Sequence, residues 1–178
     1  MIKRALSISF CLVFIVACAS TKKATLPPAQ EEAVNLNQKG VELAGKGDMS
    51  RALAEFQVAL KLNRSLDNRK GVAVSLLNIG RIYLESERYA DARGVLEEAV
   101  STSESIGERQ LMAEGYATTG KYHYASGNDL KAVEFIEKAI ELDRKEGHKA
   151  VGGRLNILGL VNLRNGKVKE AEDLFKEA

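Results

Sequence analysis

Apolar residues along the middle of the chain advance by threes and fours. Ala73, Leu76, Leu77, Gly80, Tyr83 and Leu84 stand at i, i+3, i+4, i+7, i+10 and i+11, which is one face of a 3.6-residue helix and not the alternation of a strand. A polar break, Ser86-Glu87-Arg88, follows, and then Ala92, Val95, Leu96, Ala99 and Val100 repeat the spacing. The pattern predicts two amphipathic helices joined by a tight turn.

That pair recurs. Gly40, Gly80, Gly120 and Gly159 are spaced by 40, 40 and 39 residues. Twelve residues after each stands an alanine (Ala52, Ala92, Ala132, Ala171), and seven further on another (Ala59, Ala99, Ala139, Ala178). A period of roughly 20–50 residues marks a stacked repeat array. Glycine inside a helix costs about 0.5–1 kcal/mol relative to alanine, so its return at one phase implies close packing. The glycine and the first alanine are expected to let paired helices approach, and the second alanine to receive the next pair. Leu36, Leu76, Tyr116 and Leu155 precede the glycines by four, and Phe56, Leu96, Ile136 and Phe175 follow the first alanines by four. Turn chemistry separates paired helices at Gly45-Lys46-Gly47-Asp48, Ser126-Gly127-Asn128-Asp129 and Asn165-Gly166-Lys167. Gly107 and Gly147 fall where a helix end favours positive φ.

These columns resemble the tetratricopeptide repeat family. Leu76, Ile79-Gly80, Tyr83, Ala92, Leu96 and Ala99 match its pattern in the second unit, and Leu36, Gly40, Ala52, Phe56 and Ala59 in the first. The third and fourth units depart at the aromatic column, reading His123 and Asn162. The period resembles the long-helix variants found in kinesin light chains and some bacterial regulators. The resemblance implies an all-α fold: an α-solenoid of four helix-turn-helix repeats, at about 33–66, 73–106, 113–146 and 152–178 within a domain 30–178, wound as a right-handed superhelix. It also implies that first helices line a concave groove for an extended peptide or partner helix. Asn37, Val41, Asn78, Arg81, Lys121, Tyr124, Asn156 and Arg164 are expected to face it. The asparagine amides would bridge a backbone, and Arg81, Lys121 and Arg164 would favour carboxylates. The family's carboxylate clamp does not carry over, because the corresponding places read Val41, Glu114 and Thr118.

The N-terminus is of another kind. Lys3 and Arg4 precede a largely apolar, uncharged run, Ala5 to Ala17. At 1.5 Å per residue it spans about 20 Å, short of a roughly 30 Å hydrocarbon core, so a signal peptide at 1–17 is expected. Ile15-Val16-Ala17-Cys18 resembles the bacterial lipoprotein signal, which implies that Cys18 becomes the acylated first residue of the mature chain. No cysteine follows it, so no disulfide partner competes for the thiol. Several acyl chains on one residue exceed what durable anchoring needs. Ala19 at the next position resembles an outer-membrane destination. Residues 18–29 hold both prolines and form the lipidated residue and its tether, with Pro28 suited to begin a helix.

Processing changes the charge balance. The full chain has 26 Lys+Arg against 24 Asp+Glu; without Lys3 and Arg4 the two balance, and no basic field points to nucleic acid. The sequence has no HExxH, GxSxG, phosphate loop or metal-spaced Cys/His set. His123 and His148 are far apart, and Glu31-Glu32 and Glu97-Glu98 fit solvated helix faces. Tyr122, His123 and Tyr124 form a local aromatic cluster. No enzyme activity, cofactor or metal is expected.

The expectation is a lipid-anchored adaptor in bacterial envelope assembly, facing the periplasm and most specifically pilotin-like, since short repeat lipoproteins of this build include pilotins of type IV pilus secretins. The alternative is a regulatory subunit, or truncated part, of an envelope enzyme such as one that remodels peptidoglycan. A small-ligand binder would need an enclosed pocket, which an open groove does not favour. Leu160, Leu163, Leu174 and Phe175 near Ala178 leave three readings of that edge: inward packing, self-association, or a truncated chain.

Overall fold

The computed structural model describes residues 26–178 other than 148. The signal segment, Cys18, most of the tether and His148 lie outside the described residues. Eight helices follow in order: α1 (Pro28–Gly45), α2 (Met49–Ser65), α3 (Arg69–Glu85), α4 (Tyr89–Ile106), α5 (Arg109–Ala125), α6 (Asp129–Glu146), α7 (Val151–Arg164) and α8 (Val168–Glu177). There is no strand among the described residues. The architecture is an all-α array of helical hairpins.

Local chemistry sets the helix ends. Pro28 begins α1, where its missing N–H is no loss. The side chains of Asp48, Asn68 and Asn128 accept the backbone N–H groups of Arg51, Gly71 and Lys131, satisfying donors the helix leaves unpaired. Gly107 and Gly147 end α4 and α6 with φ of 71° and 69°. Left-handed residues recur at every turn: Gly47, Asp67, Glu87, Gly107, Gly127, Gly147 and Gly166.

Side-chain size sets how paired helices meet. A Cβ added at Gly40, Gly80, Gly120 or Gly159 would stand no more than 2.6 Å from Phe56, Leu96, Ile136 or Phe175, respectively. The residue pressing on each glycine is therefore the large one sixteen positions on. The alanine twelve positions on is buried beside it but does not define the gap. Ala59, Ala99 and Ala139 are fully buried; Ala99 lies with Val72, Leu76 and Leu77 of α3. Ala178 departs from its column. It is exposed beyond the end of α8, and its carbonyl lies over Gly152 of α7.

Odd-numbered helices touch one another in sequence (α1 with α3, α3 with α5, α5 with α7), whereas no two even-numbered helices meet. Odd helices therefore make the close-packed inner layer, and even helices stand apart on the outside. The third unit's large apolar position is Tyr116. Its hydroxyl donates to Glu104 at 2.6 Å, and burial, followed by that bond, pushes its pKa up to about 12. At the fourth unit Leu174 joins Ile136, Ile140, Leu155 and Leu158, while Leu160 and Leu163 remain exposed.

Candidate functional site: the odd-helix face

The inner face carries a polar seam across the array. Ser75 donates from Oγ to the Gly71 carbonyl at 2.9 Å, and accepts from Asn63 at 3.3 Å and Asn37 at 3.0 Å. Asn37 also donates to the Ala33 carbonyl at 3.1 Å and accepts from Asn78 at 3.4 Å. Arg81 Nη1 reaches Asn78 Oδ1 at 3.5 Å, and its other terminal nitrogen pairs with Glu114. Glu114 also holds Arg154 at 3.1 Å, and Arg154 pairs with Asp143 at 2.5 Å. One chain of polar contacts thus runs from α2 to α7. Interior polar groups of this kind are tolerated because each finds partners.

This placement corrects part of the groove reading. Asn37 and Asn78 line a cavity between α1 and α3, but they are only 8% and 9% exposed, and both amide hydrogens of Asn37 are committed inside the fold. They shape the floor and do not offer a free amide ladder to a backbone. Arg81 and Arg164 were expected to receive a partner's carboxylate, yet each already holds one from this chain. Arg164 pairs with Asp129 and lies 3.9 Å over the Tyr124 ring, so these two residues clamp the third unit to the fourth. Lys121 is exposed and makes no ion pair among the described residues. Val41 and Asn156 are exposed as well.

Two cavities open along this face. The larger, about 680 Å³, lies between α1 and α3, with Leu26, Val34, Val41 and Val74 around Asn37 and Asn78. Leu26, Val34 and Val41 are exposed aliphatic groups, and apolar walls with a few fixed polar groups suit a docked side chain. The second, about 270 Å³, is lined by Arg81, Glu114, Thr118, Lys121 and Arg154, with Lys121 as its surplus cation. The face is therefore apolar at the α1 end and carries a surplus cation further along. Among the described residues no group of three His, Cys, Asp or Glu could hold a metal ion, and no helix is long and apolar enough to cross a membrane.

Sequence reasoning missed Ser75, Glu114, Asp143 and Arg154. A signal existed: Ser75, Gly115 and Arg154 share one repeat column, facing Asn63, Ser103 and Asp143 in another. The aromatic run also divides, with Tyr124 under Arg164 and His123 stacked on Phe135 at 5.4 Å.

Comparison with known proteins agrees with this geometry. No curated protein matches the chain significantly. Among solved structures, BtubC from P. vanneervenii is 19% identical with a TM-score of 0.72, covering 87% of this chain and 65% of that one. The apo form of RapI is 16% identical with a TM-score of 0.73, covering 85% and 43%. A putative kinesin light chain from Podosopora anserina is 15% identical with a TM-score of 0.71, covering 85% and 75%. The chain thus spans less than two thirds of the first two proteins. At these identities the likeness concerns the fold. Family profiles described as tetratricopeptide repeat match residues 30–105 and 77–146. Together with the hairpin array, these matches show that the chain carries tetratricopeptide repeats across residues 30–146.

Proposed function

We propose that the protein is a membrane-anchored adaptor of the bacterial envelope, held by acylated Cys18 and gripping a partner protein along its odd helices. Repeats of this family generally act as non-catalytic interaction scaffolds, and the coarse role, protein binding, follows from the fold. The observation that carries the finer reading is the apolar cavity between α1 and α3. It lies at the end of the array nearest the tether, where Val34 and Val41 are exposed. The lipoprotein-like Ile15-Val16-Ala17-Cys18 supports anchoring, and two acyl chains or more would hold it durably. A pilotin-like role, escorting a secretin segment at the outer membrane, is the specific form of this proposal.

Photoreactive residues at Val41 and Lys121, with Val58 on α2 as the outer-face control, test it in intact cells. The expected result is capture of one envelope protein from the first two positions only. Capture from Val58 alone would overturn the groove assignment. A Cys18→Ala variant is expected to lose acyl label and membrane fractionation; persistence of both would remove the anchor.

A further inference from the structure

The outer gaps between even helices are built from the same columns, so they can be compared directly. Over α3, the gap holds Leu53, Ile79, Tyr83 and Val95, all packed in one apolar cluster. Over α7, the corresponding residues are Val133, Leu158, Asn162 and Leu174, three of which share a cluster. Over α5 they are Arg93, Thr119, His123 and Phe135. Two seam positions that are aliphatic in both other gaps are polar here, beside a cavity of about 390 Å³. The gap over α7 is also hollow, at about 540 Å³, but Ile140, Leu155, Leu158 and Leu174 line it, so the difference lies in the polar seam. Thr119 lines it at 7% exposure, and its hydroxyl has no hydrogen-bond partner among the described residues. A buried hydroxyl left without a partner is unfavourable unless something else satisfies it. Where a sequence departs from the packing rule its own repeats obey, the site is a candidate for function.

We propose that this notch between α4 and α6 binds a small planar organic monocarboxylate. His123 and Phe135, stacked with their planes 22° apart, give a flat wall for an apolar ring. Arg93 donates its Nε to Glu97 at 3.0 Å, which leaves terminal N–H groups for a ligand. Lys131 lines the notch without an ion pair among the described residues. Two cations against Glu97 leave one positive charge, matching a single carboxylate. Thr119 supplies a hydroxyl that can donate or accept. The volume lies within the range of small-molecule sites, roughly 300–1,000 Å³. This notch lies on the outer side of the array, so it is independent of the odd-helix groove.

The test is a titration of the full-length chain in detergent with 4-hydroxybenzoate, followed by the imidazole resonances of His123. A saturable shift with Kd of about 1 mM or tighter is expected. 4-Hydroxybenzamide, the neutral analogue, should bind at least about tenfold more weakly. Lys131→Ala, on an exposed side chain, should weaken benzoate binding with the melting temperature unchanged. Thr119→Ile restores the residue found at Ile79, so it should fold, melt higher and lose binding. Absence of a saturable shift up to about 10 mM, equal binding of the amide, or retained binding in Thr119→Ile would each overturn the proposal.

Discussion

The Arg154 guanidinium stands 2.5 Å from the Asp143 carboxylate, with the two side chains 5% and 1% exposed. The pair occupies the columns that hold Asn63 with Ser75 and Ser103 with Gly115 in the preceding interfaces. At this pair of columns the first interface carries a hydrogen bond between Asn63 and Ser75, the second sets Ser103 against Gly115 with no side-chain bond between them, and the third is ionic. Arg154 adds a bond to the Ala139 carbonyl at 3.2 Å, so its charge is supported on several sides.

Removing one member of a buried pair strands the other. Asp143→Ala is expected to lower unfolding stability by about 3–5 kcal/mol. Replacing both residues by the preceding interface's pair (Asp143→Ser with Arg154→Gly) should restore much of that loss, offset by about 1 kcal/mol for glycine in a helix. Urea unfolding of the single and double variants checks this; a double variant worse than the single would refute it.

Two left-handed turn positions lack glycine. Asp67 has φ of 50° and Glu87 has φ of 56°, a region that costs residues with a Cβ about 1–2 kcal/mol. Glu87→Gly and Asp67→Gly are each expected to raise stability by about 1 kcal/mol. Gly127→Ala, at φ of 81°, should lower it. Thermal melts of the three variants are sufficient.

His123 makes stability depend on pH. Burial first, then the Lys131 charge and, more weakly, Arg93, hold its pKa below 6.5; Glu134 and Glu97 oppose them. With the folded pKa below the unfolded one, the unfolded chain binds the proton more readily. This contribution is intact above about pH 6.5 and declines as pH falls from there through the folded value. His123→Tyr should flatten the melting-temperature difference between pH 7.5 and pH 5 relative to the parent. An unchanged difference would show that other groups set it.

The array was legible because its packing rule is written in residue size at a fixed period. Gly80 with Leu96 and Gly120 with Ile136 declare both the hairpin and its phase. Burial of Ala99 and the left-handed turns at Gly107 and Gly147 followed from the same register. The groove was legible only in outline, since position along a helix says which face a residue occupies and not which partner claims it. Asn37 and Asn78 face the inner side as expected, yet their amides close on each other and on Ser75. Arg81 and Arg164 were read as receptors because Glu114 and Asp129 come from neighbouring units, 33 and 35 residues away. The outer notch required comparing columns for loss of apolar character, since Thr119 and Arg93 carry no motif.

The central physical claim is that the recurring glycines are fixed by the large side chains pressing on them, and Gly80 compared with Gly94 tests it most directly. Both lie inside helices, but a Cβ at Gly80 would collide with Leu96, whereas one at Gly94 would meet nothing within 4 Å. In chemical unfolding, Gly94→Ala should stabilise the protein by about 0.5–1 kcal/mol, and Gly80→Ala should destabilise it by about 1–3 kcal/mol. Stabilisation by both substitutions would contradict the account.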